Sequence, residues 1–231
     1  MTAVELRTIL LDQDDATTTR LARLLNADES RRAAAFHFER DRRRWITARA
    51  ALRLLLGQLT ATPANEVPLA YDENGKPILP GHPVHFNLSH ADDHALIAIV
   101  PACPVGVDLE RIERGAELTH CLETFCSISE KHRINNLTET TEKHLALIRT
   151  WCAKEAFLKA LGTGLAVPPE QLTVNWEEGD SARIQLPQSR ESAWEVHFPD
   201  GLSGFCAAVA LQVGTVCPPT TPFDLREQSV A

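Results

Sequence analysis

The strongest constraint on the fold is an order of patterns: a long helical segment followed by a run of alternating strands, met twice along 231 residues. In the first half, Arg40 to Leu59 (RDRRRWITARAALRLLLGQL) carries Trp45, Leu52 and Leu56 on one side, with Arg42, Arg49 and Arg53 beside them, as a core-facing helix requires. Ahead of it, residues 4–11 read as a strand and 17–25 and 28–35 as short helices, the second opening at Asp28. Behind it come the loop TPANEVP, a strand at 67–71, the turn DENGKP and strands near 84–88, 95–100 and 105–110. The second half repeats the order, with helices around 116–125, 127–136 and 141–161 and strands near 171–177, 182–186, 193–198 and 204–212. The expected fold class is therefore α+β, two similar halves each built as an antiparallel sheet packed on helices, with a boundary near residues 110–115. The tail after Cys217 is rich in Pro and Thr and is expected to be loosely held.

Composition narrows the function classes. Apolar residues make up 44% of the chain, enough for a real core. No apolar run approaches the ~18 residues of a membrane-spanning helix. The N-terminus lacks the basic-then-apolar order of a secretory signal, so a cytoplasmic protein with no membrane partner is expected. The six cysteines form no C-x-x-C pair and mostly adjoin apolar neighbours, which suits reduced thiols rather than a disulfide frame or zinc site. A net charge of −8 speaks against general nucleic-acid binding, yet eight arginines fall between Arg31 and Arg53. That stretch is either a solvated arginine-rich face or a surface for an anionic partner of limited size.

Three clusters could carry chemistry. In Val105-Gly106-Val107-Asp108-Leu109-Glu110, a strand places Asp108 and Glu110 on one face, opposite Val105, Val107 and Leu109. Two like charges so close call for a cation. Around Trp151–Gly164, apolar or small residues go nearly all the way round a helix, which marks it as buried on several sides. There, Glu155 and Lys159 are either an i, i+4 salt bridge or site residues. Lys154 lies on the side of Leu147, Leu158 and Leu161, where an ammonium must snorkel or find an anion. Asp108, Glu110 and Glu155 together would make three hard oxygen ligands of the kind Mg²⁺ accepts when water and phosphate complete its shell. The third cluster, Phe86-Asn87-Leu88-Ser89-His90, ends a strand and follows Asn74-Gly75-Lys76-Pro77, whose glycine permits a turn that presents Lys76.

These residues resemble the 4′-phosphopantetheinyl transferases of the surfactin-synthetase-activating type. The resemblance rests on a G-[IV]-D-[IV]-E-like strand (Gly106 to Glu110) and a W-x-x-K-E-[AS]-x-x-K-x-x-G-x-G segment (Trp151 to Gly164). It also rests on a G-K-P turn (Gly75 to Pro77) and an F-N-[IL]-S-H strand end (Phe86 to His90), all four in the family's order across about residues 26 to 211. It implies a pseudo-twofold monomer, divided as 1–112, 113–217 and a tail 218–231, with coenzyme A between the halves. It implies Asp108, Glu110 and Glu155 as ligands of Mg²⁺ or Mn²⁺, and Lys159 and Lys154 as pyrophosphate and catalytic-site lysines. Lys76, Asn87, Ser89 and His90 would contact the adenine nucleotide, with His90, Arg32 and Arg44 toward its 3′-phosphate. Glu130 matches a family acidic position, whereas Glu29 departs from a basic one.

The implied reaction transfers the phosphopantetheine arm of coenzyme A to a serine of an acyl or peptidyl carrier protein, releasing adenosine 3′,5′-bisphosphate. Catalysis would fall to Glu155, Lys159 and Asp108: Glu155, or a metal-bound water it orients, as base, and Lys159 at the leaving phosphate. The arginines would steer an acidic carrier. Another Mg²⁺-dependent phosphotransferase or nuclease, or a non-catalytic nucleotide-binding protein of the same fold, are the alternatives.

Overall fold

The computed structural model describes residues 4–101, 103–162, 167–177, 180–186 and 193–228. Strand β1 (Glu5–Leu10) leads into helices α1 (Asp15–Ala22), α2 (Ala27–Ala34) and α3 (Glu39–Thr60), then the short hairpin β2 (Ala70–Tyr71) and β3 (Pro77–Ile78), and strands β4 (Val84–Ala91) and β5 (His94–Pro101). The second half runs β6 (Gly106–Arg111), α4 (Gly115–Leu118), α5 (Leu122–Phe125), α6 (Ile128–Asn135), α7 (Thr140–Leu161), β7 (Thr173–Trp176), β8 (Ser181–Gln185), β9 (Trp194–His197) and β10 (Phe205–Gln212), and ends in β11 (Thr221–Pro222).

The order within the sheets is β11-β1-β5-β4 and β6-β10-β9-β8-β7. All pairs in these two sheets are antiparallel except β11 on β1. The two sheets pack face to face, with α3 outside one and α7 outside the other, and the side-chain alternation of the strands shows why. In β5, Ala95, Ile97 and Ile99 join the α3 core, while Leu96, Ala98 and Val100 join the core between the sheets. In β10, Cys206, Ala208 and Ala210 face the α7 core while Phe205, Ala207, Val209 and Leu211 face the other sheet. A strand covered on both faces has to be apolar at every position, which explains the unbroken runs ALIAIV and FCAAVAL.

The two halves are related by a displacement of 101 residues, carrying Glu5–Leu10 onto Gly106–Arg111, Ala27–Ala34 onto Ile128–Asn135, and Glu39–Thr60 onto Thr140–Leu161. The caps follow the same displacement. Asn26 and Ser127 each open a helix with a capping box, closed by Glu29 and Glu130. Ala61 and Gly162 each end a long helix in the left-handed conformation. The second helix thus opens at Asn26 rather than at Asp28, because the Asn26 side chain takes the Glu29 N–H and the Glu29 carboxylate returns to the Asn26 N–H.

Two further expectations are corrected. Residues 116–125 form α4, a 3₁₀ turn and α5 instead of one helix. Strand β6 pairs with β10, so the chain changes sheet between β5 and β6. The tail is not loose: β11 lies along β1, Phe223 N–H donates to Thr8 O at 3.0 Å, and Leu225, 1% exposed, enters the first core. The Arg20 guanidinium fastens it by donating to the carbonyls of Leu225 and Gln228 at 2.6 and 2.5 Å.

Candidate active site

Where the sheets adjoin, edge strands β4 and β6 lie side by side without a main-chain ladder. Side chains take its place: Asn87 Oδ1 accepts the Val107 N–H at 2.9 Å and Ser89 Oγ accepts the Leu109 N–H at 3.3 Å. The strands are therefore held slightly apart, and the face carrying Gly106, Asp108 and Glu110 turns toward α7. That helix approaches closely because Gly106 has no side chain; a Cβ there would come within 1.9 Å of Ala156 O and 2.4 Å of Ala160 N.

Close approach sets α7 over the acids. Lys159 Nζ donates to Asp108 Oδ1 at 2.6 Å and to Ser89 Oγ at 3.0 Å, and Ser89 Oγ in turn donates to Asp108 Oδ1 at 3.1 Å. Asp108 is 3% exposed, and its Oδ2 is buried without a hydrogen-bond partner. Glu110 pairs with Arg114, whose guanidinium lies 5.5 Å from the Trp151 ring. Burial pushes the Glu155 carboxyl up; Lys159 and Arg114 oppose the shift and Asp108 adds to it. The Glu110 carboxyl is pushed up by burial and then by Asp108, against the pull of Arg114 and Lys159. The Asp108 charge thus acts on both Glu110 and Glu155, one on its own strand and one on α7.

An orphaned buried carboxylate oxygen, beside two acids whose anionic forms are disfavoured, suits a hard divalent cation. As they stand, however, among the described residues no three His, Cys, Asp or Glu side chains are drawn into metal-binding reach. Lys159 holds Asp108, and Arg114 holds Glu110.

Three adjoining cavities extend from this point. The first, about 300 Å³, is bordered by Lys76, Asn87, Glu155, Lys159 and Gly162. It shares Pro77, Asn87 and Leu88 with a second of about 210 Å³ that also touches Trp45, Arg49 and His90. Trp45 and His90 are shared in turn with a third of about 340 Å³, bordered by Phe36, Arg40 and Arg44. Of the acid–lysine cluster, Glu155 and Lys159 border the first cavity. His90 is exposed at the cleft, yet desolvation by its walls, then the charges of Lys159 and Arg44, push its imidazolium pKa down.

Of the residues expected from sequence, the structure brings together Asp108, Ser89, Asn87, Glu155, Lys159 and, along the cleft, His90. Lys154 is elsewhere. Only 1% exposed, its ammonium donates to Glu130 Oε2 at 2.6 Å and to the carbonyls of Phe125, Leu172 and Pro169 at 2.7, 2.9 and 3.0 Å. In the first half, at the position 101 residues earlier, Arg53 does the same, donating to Glu29 at 2.6 Å and to the carbonyls of Ala64 and Val67. Lys154 is a core residue of the repeat and is not free to meet a pyrophosphate. Lys76 borders the cleft, but its ammonium donates to Lys159 O at 2.5 Å, tying the β2–β3 turn to the end of α7. Burial pushes its pKa down, with Asp72 opposing. Arg44 is held by both carboxylate oxygens of Asp12 at 2.7 Å, and Arg32 lies against the Trp45 ring. The end of the glycine motif, Thr163 and Gly164, lies outside the described residues.

Arg49 and Arg114 were not singled out from sequence. The Arg49 signal was its i, i+4 spacing from Trp45; Arg114 had none, since Glu110 sits on a strand and Arg114 in a turn.

Fold and site together define a duplicated α+β protein whose acid–lysine cluster has no counterpart in the first half, which carries Arg7, Ile9, Leu54 and Gln58 at the positions of Asp108, Glu110, Glu155 and Lys159. Family models identify it: residues 13–102 match "4'-phosphopantetheinyl transferase, N-terminal", and residues 104–210 match the "4'-phosphopantetheinyl transferase superfamily". The chain is 33% identical over 186 residues to the 4'-phosphopantetheinyl transferase HetI of Nostoc sp., covering 79% of this chain and 78% of that protein. It is also 33% identical over 161 residues to the 4'-phosphopantetheinyl transferase psf-1 of Bacillus pumilus, covering 68% and 67%. A solved holo-(acyl-carrier-protein) synthase from Bacillus anthracis overlays 46% of this chain and 92% of its own, at 22% identity and a TM-score of 0.38. The chain belongs to the 4′-phosphopantetheinyl transferase superfamily.

Proposed function

We propose that this protein transfers the 4′-phosphopantetheine group of coenzyme A to a serine hydroxyl of an acyl or peptidyl carrier protein, releasing adenosine 3′,5′-bisphosphate. The observation that carries the reading is Lys159, bonded to Asp108 and Ser89, bordering with Glu155 the first of three adjoining cavities. The cleft runs toward His90 and the arginines, so the diphosphate would lie at the lysine end and the nucleotide along Asn87, His90 and Trp45.

Each residue has a task that its surroundings suit. Lys159 offers a cation to the charge that develops as the bridging phosphate bond breaks. Glu155, or a water it orients, receives the proton of the attacking serine. Asp108, Glu110 and Glu155 would hold the divalent cation, Mg²⁺ or Mn²⁺. When bound, that ion neutralises phosphate charge. The first half would supply the walls of the nucleotide site and the second half the catalytic helix.

The arginine-rich stretch contributes less to steering a carrier than its composition suggests. Arg31, Arg40, Arg42, Arg43 and Arg44 are paired with Asp28, Asp41, Glu39, Asp15 and Asp12. We read the protein as a cytoplasmic monomer without nucleic-acid or membrane partners. Among the described residues no helix is long and apolar enough to cross a membrane, and all six cysteines are free.

The test is the intact mass of an apo carrier protein after incubation with this protein, coenzyme A and Mg²⁺. Addition of the phosphopantetheine mass is expected; an unchanged mass with carriers of all three biosynthetic types (fatty-acid, polyketide and nonribosomal-peptide) rejects the activity. Glu155→Gln should retain coenzyme A binding and lose turnover, and Asp108→Ala should lose all metal-dependent turnover.

A further inference from the structure

Arg114 closes a 3₁₀ turn, Ile112–Arg114, that follows β6 directly. The next residue holds this turn against α7: a Cβ on Gly115 would come within 2.3 Å of His144 O, so the chain passes the helix where only glycine fits. From there the Arg114 guanidinium donates back to Glu110 Oε1 and lies 5.5 Å from the centre of the Trp151 ring, on α7 one turn before Glu155. Both members of the ion pair are partly buried. The guanidinium is thus fixed from two sides, by an acid of the strand and by a ring of the helix.

Two cations serve the acid cluster, and they differ in what else they can do. Lys159 holds Asp108 and borders the first cavity, so it remains within reach of a phosphate. Arg114 borders none of the three adjoining cavities, and its ion pair is with Glu110 alone. A divalent ion and Lys159 together balance the three carboxylates of Asp108, Glu110 and Glu155. Of the two internal pairings, that of Arg114 is therefore the one such an ion makes redundant, and a guanidinium beside a bound ion would repel it.

We infer that Arg114 is a positioning residue that competes with the divalent ion for the Glu110 carboxylate, neutralising that acid when no ion is bound and releasing it when one is. The inference rests on the metal-ligand set of the function proposed above. Its consequence is a weaker grip on the ion, together with an acid cluster that packs against α7 whether or not the ion has arrived. Trp151 gives the guanidinium a surface to rest on at either stage.

Binding of Mn²⁺ to the whole protein, read from the electron paramagnetic resonance signal of the free ion, tests this without turnover. Wild type should bind Mn²⁺. Arg114→Gln should bind it about 3- to 10-fold more tightly, the range for freeing a partly buried carboxylate from one charged hydrogen bond. In chelator the same variant should melt about 2–4 °C below wild type, and saturating Mg²⁺ should close most of that difference. Arg114→Lys, which keeps the charge and loses the fork, should fall between. An unchanged affinity for Mn²⁺ overturns the assignment, as does a weakened one, since Arg114 would then be presenting Glu110 to the ion. A melting difference that Mg²⁺ leaves untouched marks a purely structural pair and overturns it too. If Arg114→Gln does not fold in chelator, Arg114→Lys carries the test with the same direction of change required. A wild type that binds Mn²⁺ but modifies no carrier rejects the proposed function and leaves the competition standing. One that binds no Mn²⁺ rejects the metal-ligand set, and this inference with it.

Discussion

Lys159 and Asp108, 51 residues apart in sequence, form an ion pair of 2.6 Å that joins α7 to β6 at the seam between the two sheets. Each alone has an ordinary structural explanation. Joined beside a cleft, with Ser89 completing the contact and Asp108 Oδ2 left unmet, they are the cluster on which the proposed function rests.

Replacing Lys159 by Met removes the cation offered to the leaving phosphate. Turnover should fall by about 10²–10³-fold, the usual cost of one preorganised charge-stabilising donor. The rate of mass gain by a carrier protein measures it, and a loss below tenfold would take Lys159 out of the mechanism.

Lys154→Met should behave in the opposite way. It leaves Glu130 buried without its cation, so stability should drop by about 3–5 kcal/mol. Coenzyme A affinity, measured well below the melting temperature, should stay within about twofold of wild type, as for a residue remote from the ligand. Denaturant unfolding and calorimetry separate the two quantities.

At Gly106, even one methyl group meets the α7 backbone. Gly106→Ala should cost about 1–3 kcal/mol as α7 is pushed outward. It should also reduce turnover, because Glu155 and Lys159 move with the helix. A variant of normal stability and activity would show that the close approach is dispensable.

The pH dependence follows from the raised carboxyls of Glu110 and Glu155. A carboxyl whose folded pKa exceeds its unfolded value binds more protons in the folded state, so its contribution to stability falls as pH rises through that window. A divalent cation that relieves the repulsion should therefore raise the melting temperature more at pH 8 than at pH 5, where protons compete for the same oxygens. Melting curves in Mg²⁺ and in chelator check this; a shift that is equal at both pH values would place the ion elsewhere.

The C-terminal segment is predicted to be part of the fold. Leu225→Ala, at a position 1% exposed, should cost about 2–5 kcal/mol. The change in the denaturant midpoint reports it, and a shift within error would mean that the strap is not needed.

Much of this architecture was written in local pattern. The two long helices, the alternating strands, the paired acids of β6 and the motifs around Lys76, Ser89 and Glu155 depend on spacing along the chain, and spacing is what a sequence displays directly. Three things depended on contacts between distant residues and could not be read there. A buried lysine within a family motif looks alike whether its anion is a ligand or Glu130; only the folded chain, with Arg53 and Glu29 repeating the pair, decides between them. Likewise, six arginines looked like a basic surface until folding brought each to its own acid, and a Pro- and Thr-rich tail looked loose until β1 offered it an edge to pair with. Periodicity and residue type determine which elements form. Which charges are satisfied and which remain for a ligand is determined by the tertiary structure, because desolvation and pairing depend on neighbours that the chain order does not name.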